Sequence, residues 1–271
     1  QCLVLHPSVG QLIRPFRDLI IKLSNYQAIA QIEVAVGENK TVLILRHLEP
    51  FEAEDLIFLH EFATLHNICW YLQPGGENTI HPLDLDDSDD LSYSLPELDV
   101  KFKFKPNDFT QVNPSINKQM LPLALDLLEI ESTDRVLDLF CGLGNFSLPM
   151  ARLALELVGV EGCDKMTQRA LDNAHLNDIN NVSFYRADLF ESIENSPWSQ
   201  SHYDKILLDP PRAGAKELCE QIDKFKASRI VYVSCASATL ARDAQIIVSK
   251  GYKMVKAGVM DMFPHTAHVE S

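Results

Sequence analysis

The amino-acid sequence predicts an α/β protein in which a doubly wound parallel sheet follows a smaller α+β domain. From residue 116 onward, apolar strand-like segments alternate with helical segments, which is typical of parallel strands joined by right-handed crossovers. Before residue 95, helical and strand-like segments follow one another without that alternation. The acidic, turn-rich segment DLDDSDD at 84–90 reads as a solvated loop between the two patterns. We therefore predict domains at 1–95 and 96–271.

The first domain shows two helical and three strand-like patterns. Helices are marked by apolar residues at helical spacing, and the hairpin by two β-rich segments on either side of a Gly-containing turn. The predicted elements are a helix over 11–24, hairpin strands over 31–36 and 41–46, a helix over 51–66 and a strand over 68–73.

The second domain begins with the alternating segment VKFKFK, which predicts a strand with lysines on one face. The predicted strands lie over 100–105, 135–140, 155–162, 182–187, 205–211 and 229–235, and the predicted helices over 116–129, 146–154, 165–177, 214–224 and 238–249. One further strand is predicted at the end of the chain, over 252–263.

Composition limits the function classes. The 271 residues include 38 acidic and 24 basic ones, and the net charge of −14 argues against unaided, non-specific binding to nucleic acid. It does not exclude an enzyme that takes one nucleotide into a pocket. Six cysteines without paired spacing predict reduced thiols and a cytoplasmic location, and no apolar run predicts a membrane span. The Gln1 start and the Ser271 end, directly after a motif, suggest a fragment of a longer protein.

The first chemistry-bearing segment is DLFCGLGNF at 138–146, which joins a predicted strand to a helix. Glycines at such a junction let the backbone approach a ligand closely, although a tight turn alone would also explain them. Glu161 ends the next strand, where an acid can bind ribose hydroxyls, and Asp188 follows the third strand, where an adenine would lie. This spacing suits a nicotinamide dinucleotide or S-adenosylmethionine, but the absence of a complete G-x-G-x-x-G weakens the dinucleotide hypothesis.

Two further segments follow predicted strands of the same sheet. Asp209-Pro-Pro-Arg212 forms a rigid turn, in which Asp209 is a ligand-binding acid or only a turn cap. Arg212 stands where amino-group methylases carry an aromatic residue, which disfavours that chemistry. Cys235 ends the strand RIVYVSC on the predicted ligand-binding edge, which favours a nucleophile over the small buried hydrophobe that a lone cysteine usually is.

The last segment, 261–270, contains His265 and His268 at a spacing that a metal could use. Because no third ligand cluster is evident, we interpret the segment as a rigid active-site loop.

Together these segments closely resemble the uridine-5 RNA methyltransferases, specifically the RlmD (RumA) type that acts on 23S ribosomal RNA. The segments that carry the resemblance are FTQVN (109–113), VLDLFCGLGNFSLPMA (136–151), GVEG (159–162), LLDPPRAGA (207–215), RIVYVSC (229–235), TLARD (239–243) and DMFPHTAHVES (261–271). The resemblance implies a class I methyltransferase (Rossmann-like) fold, with Cys235 as nucleophile and Glu270 as base. It implies S-adenosylmethionine contacts at Gln111, Phe140, Asn145, Glu161, Asp188 and Asp209.

The resemblance also implies parts that lie outside these 271 residues. Members of the family carry an amino-terminal OB-like RNA-binding domain and a 4Fe–4S cluster held by four cysteines. Cys2 would be the last of those ligands, and no complete cluster is expected from this chain alone. The implied partner is 23S ribosomal RNA, and we expect a monomer that has no contact with membranes.

The chain departs from the family pattern in two places. Ala236-Ser237 replaces the usual Asn-Pro after the nucleophile, which predicts a looser turn and either reduced activity or compensation by another residue. The last antiparallel strand of the family is cut short, so Glu270 is expected at a mobile terminus.

The implied chemistry needs a cysteine of low pKa that adds to carbon 6 of uracil, and a base that removes the proton from carbon 5. The alternatives are a methyltransferase of another substrate class and a non-catalytic RNA-binding module.

Overall fold

The computed structural model describes residues 5–84, 90–191, 193–194 and 196–271. The chain forms two compact units. Unit 1 comprises Gln1–Ser94 and Lys103–Asp108, and unit 2 comprises Leu95–Phe102 and Phe109–Ser271. The division into domains 1–95 and 96–271 stays a prediction, since compactness alone does not test whether either part folds independently.

Unit 1 contains a four-stranded mixed sheet with helices against one face. The helices are α1 (Pro7–Gly10), α2 (Ile13–Ile20) and α3 (Ala53–His66), and the strands are β1 (Ile29–Val36), β2 (Thr41–His47), β3 (Cys69–Gln73) and β4 (His81–Pro82). The sheet order is β1-β2-β3-β4, with β1 antiparallel and β3 parallel to β2. The predicted hairpin is therefore present. Alternation along the strands directs Leu43, Leu45 and Trp70 into one core with the helix residues Phe16 and Phe62.

Two short strands lie in the part of the sequence between the strands of the two larger sheets. Strands β5 (Leu91–Leu95) and β6 (Val100–Phe104) form a two-stranded sheet. Within β6, Val100, Phe102 and Phe104 are buried while Lys101 and Lys103 are exposed, as the alternating sequence predicts.

Unit 2 contains a five-stranded parallel sheet. Its strands are β7 (Arg135–Leu139), β8 (Glu156–Glu161), β9 (Val182–Arg186), β10 (Lys205–Leu208) and β11 (Arg229–Tyr232), in the order β11-β10-β7-β8-β9. Its helices are α4 (Pro114–Leu128), α5 (Ser147–Ala151), α6 (Asp164–Leu176), α7 (Lys216–Cys219) and α8 (Ser237–Ser249). Helices α5 and α6 pack against β8, and α4 packs against β10 and β11. The prediction of a doubly wound parallel sheet is confirmed.

The strand predicted over 252–263 is wrong. This segment has no regular secondary structure, and its only ladder contact among the described residues is an isolated bridge between Met260 and Glu270. Its apolar residues are mostly in solvent: Met254, Val255 and Val259 are 58%, 77% and 72% exposed. Without a neighbouring strand to satisfy its backbone groups, apolar composition alone does not make a strand.

Two predicted helices are shorter than expected. In place of the helix predicted over 11–24, α2 ends at Ile20, and the segment 214–224 contains α7 followed by the 3₁₀ turn Ile222–Phe225. No helix in the described part of the chain is long and apolar enough to cross a membrane.

Candidate active site

The candidate site lies at the carboxyl ends of the parallel strands in unit 2, where open α/β sheets bind ligands. It has two parts. The glycine edge is the segment 138–147 together with Glu161, after β7 and β8. The cysteine edge comprises the segments 209–215, 232–243 and 260–271, around the ends of β10 and β11.

The backbone of the glycine edge turns sharply away from β7. Phe140, Gly142 and Gly144 all have positive φ, at 67°, 55° and 93°. The amides of Phe140 and Cys141 both donate to the carbonyl of Val160, at 2.9 and 3.1 Å. A positive φ at a bulky residue such as Phe140 is uncommon, and here the paired backbone holds it. The turn leaves open space beside Gly142, because a Cβ there would meet nothing closer than 4.0 Å.

Glu161 closes the glycine edge from the end of β8. Its carboxylate accepts hydrogen bonds from the backbone amides of Gly142, at 3.1 Å, and Cys163, at 3.0 Å. The predicted ribose-binding acid is thus already oriented by the glycine turn. Glu161 is partly exposed.

Asp138 is a functional candidate that the sequence interpretation left without a role. Its side chain is fully buried, and Ser147 Oγ donates to its Oδ2 at 2.5 Å, while its Oδ1 has no hydrogen-bond partner. Burial, with a contribution from the charge of Glu161, raises the pKa of Asp138 to about 7. A buried acceptor without a partner is costly, which suits a site completed by a ligand's donor group.

Asn145 is held by a second asparagine that the sequence interpretation missed. Asn145 Nδ2 donates to Asn117 Oδ1 at 3.0 Å, and Asn117 Nδ2 donates back to Asn145 Oδ1 at 3.2 Å. Because Asn117 is buried on α4, this reciprocal pair holds the side chain of Asn145, the predicted cofactor contact, in one orientation. The helix itself begins at Pro114, and the Asn113 side chain caps it by accepting from the amide of Ile116.

Other predicted cofactor contacts lie at the border of this region. Phe140 packs against Phe190, with ring centroids 5.8 Å apart. Asp188 is exposed and accepts a hydrogen bond from the Phe190 amide at 2.9 Å. Gln111 is half-buried in the loop before α4. The roles of all three in binding remain predictions.

Asp209 follows β10 directly, and its amide donates to the Leu139 carbonyl at 3.2 Å. Burial, followed by the negative charges of Glu270 and Asp138, raises the pKa of Asp209 to about 8. Its carboxyl group therefore holds a proton to higher pH than an exposed aspartate does, and in the protonated form it can donate a hydrogen bond to a ligand.

Cys235 is half-buried and shares this edge with Asp209 and Glu270. Burial raises the pKa of the Cys235 thiol, the negative charges of Glu270 and Asp209 raise it further, and only Arg212 among the side chains opposes them. The implied chemistry needs a thiol of low pKa, whereas the pKa of Cys235 is raised in this structure. The physical reason is that the sulfur is partly buried and that the carboxyl groups of Glu270 and Asp209 outweigh the opposing charge of Arg212.

Glu270 has backbone partners on both sides of its own position, and the expectation of a mobile terminus stays a prediction. Its backbone exchanges two hydrogen bonds with Met260, at 2.7 and 2.9 Å, and Ser271 exchanges two with Ser234, at 3.0 and 2.9 Å. The carboxyl group is buried, which raises its pKa. Because Ser234 precedes Cys235, the second pair of hydrogen bonds places the predicted base beside the predicted nucleophile.

Two side-chain hydrogen bonds join the turn after Cys235, where Ala236-Ser237 replaces the usual Asn-Pro. Ser234 Oγ accepts from the Ala236 amide at 3.1 Å, and Thr239 Oγ1 donates to the Ala236 carbonyl at 3.0 Å. These hydroxyl groups hold the turn closed. The prediction of reduced activity remains untested.

Asp243 joins the separate segments of the cysteine edge, and the sequence interpretation missed it. This fully buried carboxylate accepts from the Ala215 amide at 2.7 Å, the Tyr232 hydroxyl at 2.6 Å and Arg242 Nε at 2.8 Å. Although burial raises the pKa of Asp243, hydrogen bonds from Arg242, Tyr232 and Ala215 lower it below its usual value. The Asp209 turn, β11 and α8 thus meet at one charged group.

The described residues contain no group of three or more metal-ligating side chains. His265 and His268 lie in the exposed loop, where the ring of His268 packs against Phe263 at 5.5 Å. Cys2, the predicted cluster ligand, lies outside the described residues.

Sequence comparison identifies close relatives. Residues 86–271 match the family model described as tRNA (uracil-5-)-methyltransferase. The whole chain aligns with the 23S rRNA (uracil(1939)-C(5))-methyltransferase RlmD of Francisella tularensis at 51% identity, covering 61% of that protein. It aligns with the protein of the same name from Hahella chejuensis at 50% identity, covering 62% of it. The chain therefore spans about three fifths of the length of these curated relatives.

Solved structures confirm the predicted fold class. Pyrococcus abyssi tRNA (uracil-54, C5)-methyltransferase, in complex with S-adenosyl-L-homocysteine, has a TM-score of 0.75 at 22% identity, over 100% of this chain and 67% of that one. The tRNA m1G37 methyltransferase of M. jannaschii has a TM-score of 0.61 at 11% identity, over 97% and 76%. At such identities the likeness shows the Rossmann-like methyltransferase fold alone.

Proposed function

The chain belongs to the tRNA (uracil-5-)-methyltransferase family, and from this membership we propose that it methylates carbon 5 of a specific uridine in 23S ribosomal RNA, with S-adenosylmethionine as methyl donor. The names of relatives at about half identity support the substrate class. The observation that carries the proposal is the meeting of Cys235, Asp209 and Glu270 at one sheet edge.

The glycine edge fits the adenosine and methionine parts of the donor. Its glycine turn lets the backbone come close to the donor, because no side chain stands between them. The carboxylate of Glu161 can bind the ribose hydroxyls, and the unpartnered Oδ1 of buried Asp138 can accept a hydrogen bond from the donor. Asn145, Phe140, Asp188 and Gln111 are the further contacts that we propose, and Asp209 is a donor or acceptor according to its protonation. When bound, S-adenosylmethionine supplies an electrophilic methyl group.

Cys235 supplies the nucleophile that uracil chemistry needs, because carbon 5 of uracil alone is too weakly nucleophilic to accept a methyl group. The thiolate forms a bond to carbon 6, and the electrons of the carbon 5–carbon 6 double bond move toward oxygen 4. Carbon 5 then takes the methyl group, so that the bond between this methyl group and sulfur would break and S-adenosylhomocysteine would leave. The raised pKa of the thiol means that the thiolate needs compensating positive charge, which Arg212 and a bound sulfonium can provide.

Glu270 completes the reaction as the base. Its carboxylate accepts the proton from carbon 5, the double bond re-forms, and the carbon 6–sulfur bond breaks to release the Cys235 thiolate. The two backbone hydrogen bonds between Ser234 and Ser271 keep the neighbouring residues Cys235 and Glu270 close to each other. This proximity suits a reaction in which both side chains act on the same uracil ring.

Several properties of the whole protein remain part of the proposal. We expect a monomeric, cytoplasmic enzyme whose main partner is 23S ribosomal RNA. Cys2 would be one of four ligands of a 4Fe–4S cluster in a protein that also contains the other three cysteines. The net charge of −14 is consistent with additional RNA contacts outside these residues.

The direct test uses RNA in which the target uridine carries fluorine at carbon 5. The protein that contains this chain, incubated with this RNA and S-adenosylmethionine, should form a denaturation-resistant complex, because fluorine cannot leave as a proton does. Cys235→Ala should abolish the complex, whereas Cys163→Ala, at an exposed cysteine, should retain it. A complex that survives Cys235→Ala would contradict the proposal. Methylation of RNA that contains ordinary uridine, without formation of 5-methyluridine, would also contradict it.

A further inference from the structure

Unit 1 contains a cavity of about 280 Å³ whose lining comes entirely from that unit. This size approaches the roughly 300 Å³ at which small-molecule sites begin. The lining combines charged and amide side chains with one apolar residue: Glu33, Arg46, Gln73, Glu77, Asn107 and Ile80, beside the backbone of two glycines. No step of the proposed methyl transfer uses it.

Strand register places the polar residues on one face of the unit 1 sheet. Arg46 of β2 pairs with Gln73 of β3, and Glu33 of β1 pairs with Ile44. Because side chains alternate along strands, these residues lie opposite the core face formed by Leu43, Leu45 and Leu72. The sheet itself therefore fixes the spacing of a carboxylate, a guanidinium and an amide.

Gln73 is the observation that points to a ligand. Its side chain is only 6% exposed, and its Oε1 has no hydrogen-bond partner, while its Nε2 donates to the Gly75 carbonyl at 3.3 Å. A buried acceptor left without a donor is unfavourable, and a ligand that donates a hydrogen bond would satisfy it.

Arg46 offers the complementary groups. It is exposed at the cavity, and its guanidinium forms no hydrogen bond or ion pair with any described residue. Glu33 accepts a hydrogen bond from Gln31 at 3.0 Å, and its carboxylate has further acceptor capacity. The cavity thus presents acceptors and a forked donor together.

We propose that this cavity is a subsite for an unpaired guanine base of the RNA, an inference that rests on the RNA substrate of the proposed function. Guanine places two donors, N1–H and the N2 amino group, on one edge, and two acceptors, O6 and N7, on another. Carboxylate and amide oxygens suit the first edge, and an arginine fork suits the second. Two carboxylates disfavour a phosphate in the same place, and bases of single-stranded RNA are commonly splayed into protein pockets.

The test measures binding of labelled pentanucleotides to the chain by fluorescence anisotropy. Four adenosines flank a central guanosine, inosine or adenosine, and the absence of uridine prevents reaction at Cys235. We expect the guanosine oligonucleotide to bind about tenfold more tightly than the all-adenosine one, as bidentate base recognition implies. Inosine, which lacks the N2 amino group, should bind with intermediate affinity.

Variants identify the cavity as the source of the preference. Arg46→Leu and Glu33→Gln should each remove most of it. Arg14→Leu and Glu54→Gln make the same charge changes at exposed positions outside the cavity and should preserve it. Equal binding of all three oligonucleotides, or a preference that survives both cavity variants, would overturn the proposal.

The trapping experiment with 5-fluorouridine RNA separates this inference from the proposed function. A trapped complex without guanine preference would overturn the subsite alone. A guanine preference without a trapped complex would support the subsite and contradict uridine methylation.

Discussion

The glycine edge and the cysteine edge lie on the same parallel sheet but are built in different ways. The glycine edge is almost continuous in sequence, and backbone geometry with one acid, Glu161, defines it. The cysteine edge is assembled from three segments that are distant in sequence. Hydrogen bonds to the side chain of Asp243 and backbone hydrogen bonds between Ser234 and Ser271 join these segments. The comparison teaches that the proposed donor site depends on local backbone shape, whereas the proposed covalent site depends on long-range contacts. Substitutions at the two edges should therefore separate binding from turnover.

The largest effect is expected at Glu270. Glu270→Gln removes the base but preserves size, so methyl transfer should fall by about 10²–10⁴-fold. A covalent complex should accumulate even with ordinary uridine RNA, because the proton on carbon 5 stays in place. Denaturing gels and methyl-transfer rates measure both effects, with Glu220→Gln on the exposed surface as control. Rapid turnover by Glu270→Gln would remove Glu270 from the mechanism.

At the glycine edge, Glu161→Gln should weaken binding of S-adenosylmethionine by about 10–100-fold, since a charged acceptor of hydrogen bonds is lost. The rate at which iodoacetamide alkylates Cys235 should stay unchanged. Calorimetry and mass spectrometry give the two values, and Glu191→Gln, at an exposed acid, is the matched control. If Glu161→Gln changed alkylation and left binding intact, the two edges would not be separable.

Asp243→Asn should destabilise the cysteine edge, because one amide cannot accept from all three donors that the carboxylate accepts from. The expected loss is about 1–3 kcal/mol in the free energy of unfolding, measured with urea. Since hydrogen bonds lower the pKa of Asp243 in the folded state, its contribution is present above the unfolded pKa and is lost as pH falls through the folded one. Asp126→Asn, on the exposed face of α4, should change little.

The smallest effect concerns the acidity of the nucleophile. Removing the charge of Glu270 with Glu270→Gln should lower the pKa of the Cys235 thiol, because that carboxylate opposes the thiolate. The pH at which alkylation reaches half its maximal rate should therefore move downward from that of the unmodified chain. An upward movement would show that Glu270 does not act on the sulfur through its charge.

The same comparison explains what the sequence could predict. The strands and the glycine turn were predictable because their signals are local: apolar segments, alternation, and glycines at fixed spacing. Asn117 and Asp243 were missed because their partners, Asn145 and Ala215, lie 28 residues away in the chain. A local signal did exist for Asp243, which lies four residues before buried Ile247 on the inner face of α8.

The wrong expectation of a strand near the end of the chain has a physical cause. Apolar residues over 252–263 suggested a strand, but backbone pairing decides where a strand forms. The backbone groups of Glu270 and Ser271 found partners in Met260 and Ser234, whereas those of the preceding segment did not. The raised pKa of Cys235 was equally hidden, because it depends on charges that the fold brings close.

The bridge between Met260 and Glu270 closes the base of the exposed loop 261–269. A loop closed at its stem can change in length or composition at its tip while its last residue keeps its place. The residues of this loop can therefore be exchanged while Glu270, the proposed proton acceptor, stays anchored outside the varied part. The proposed selection of a nucleotide could then change without any change in the proposed chemical step.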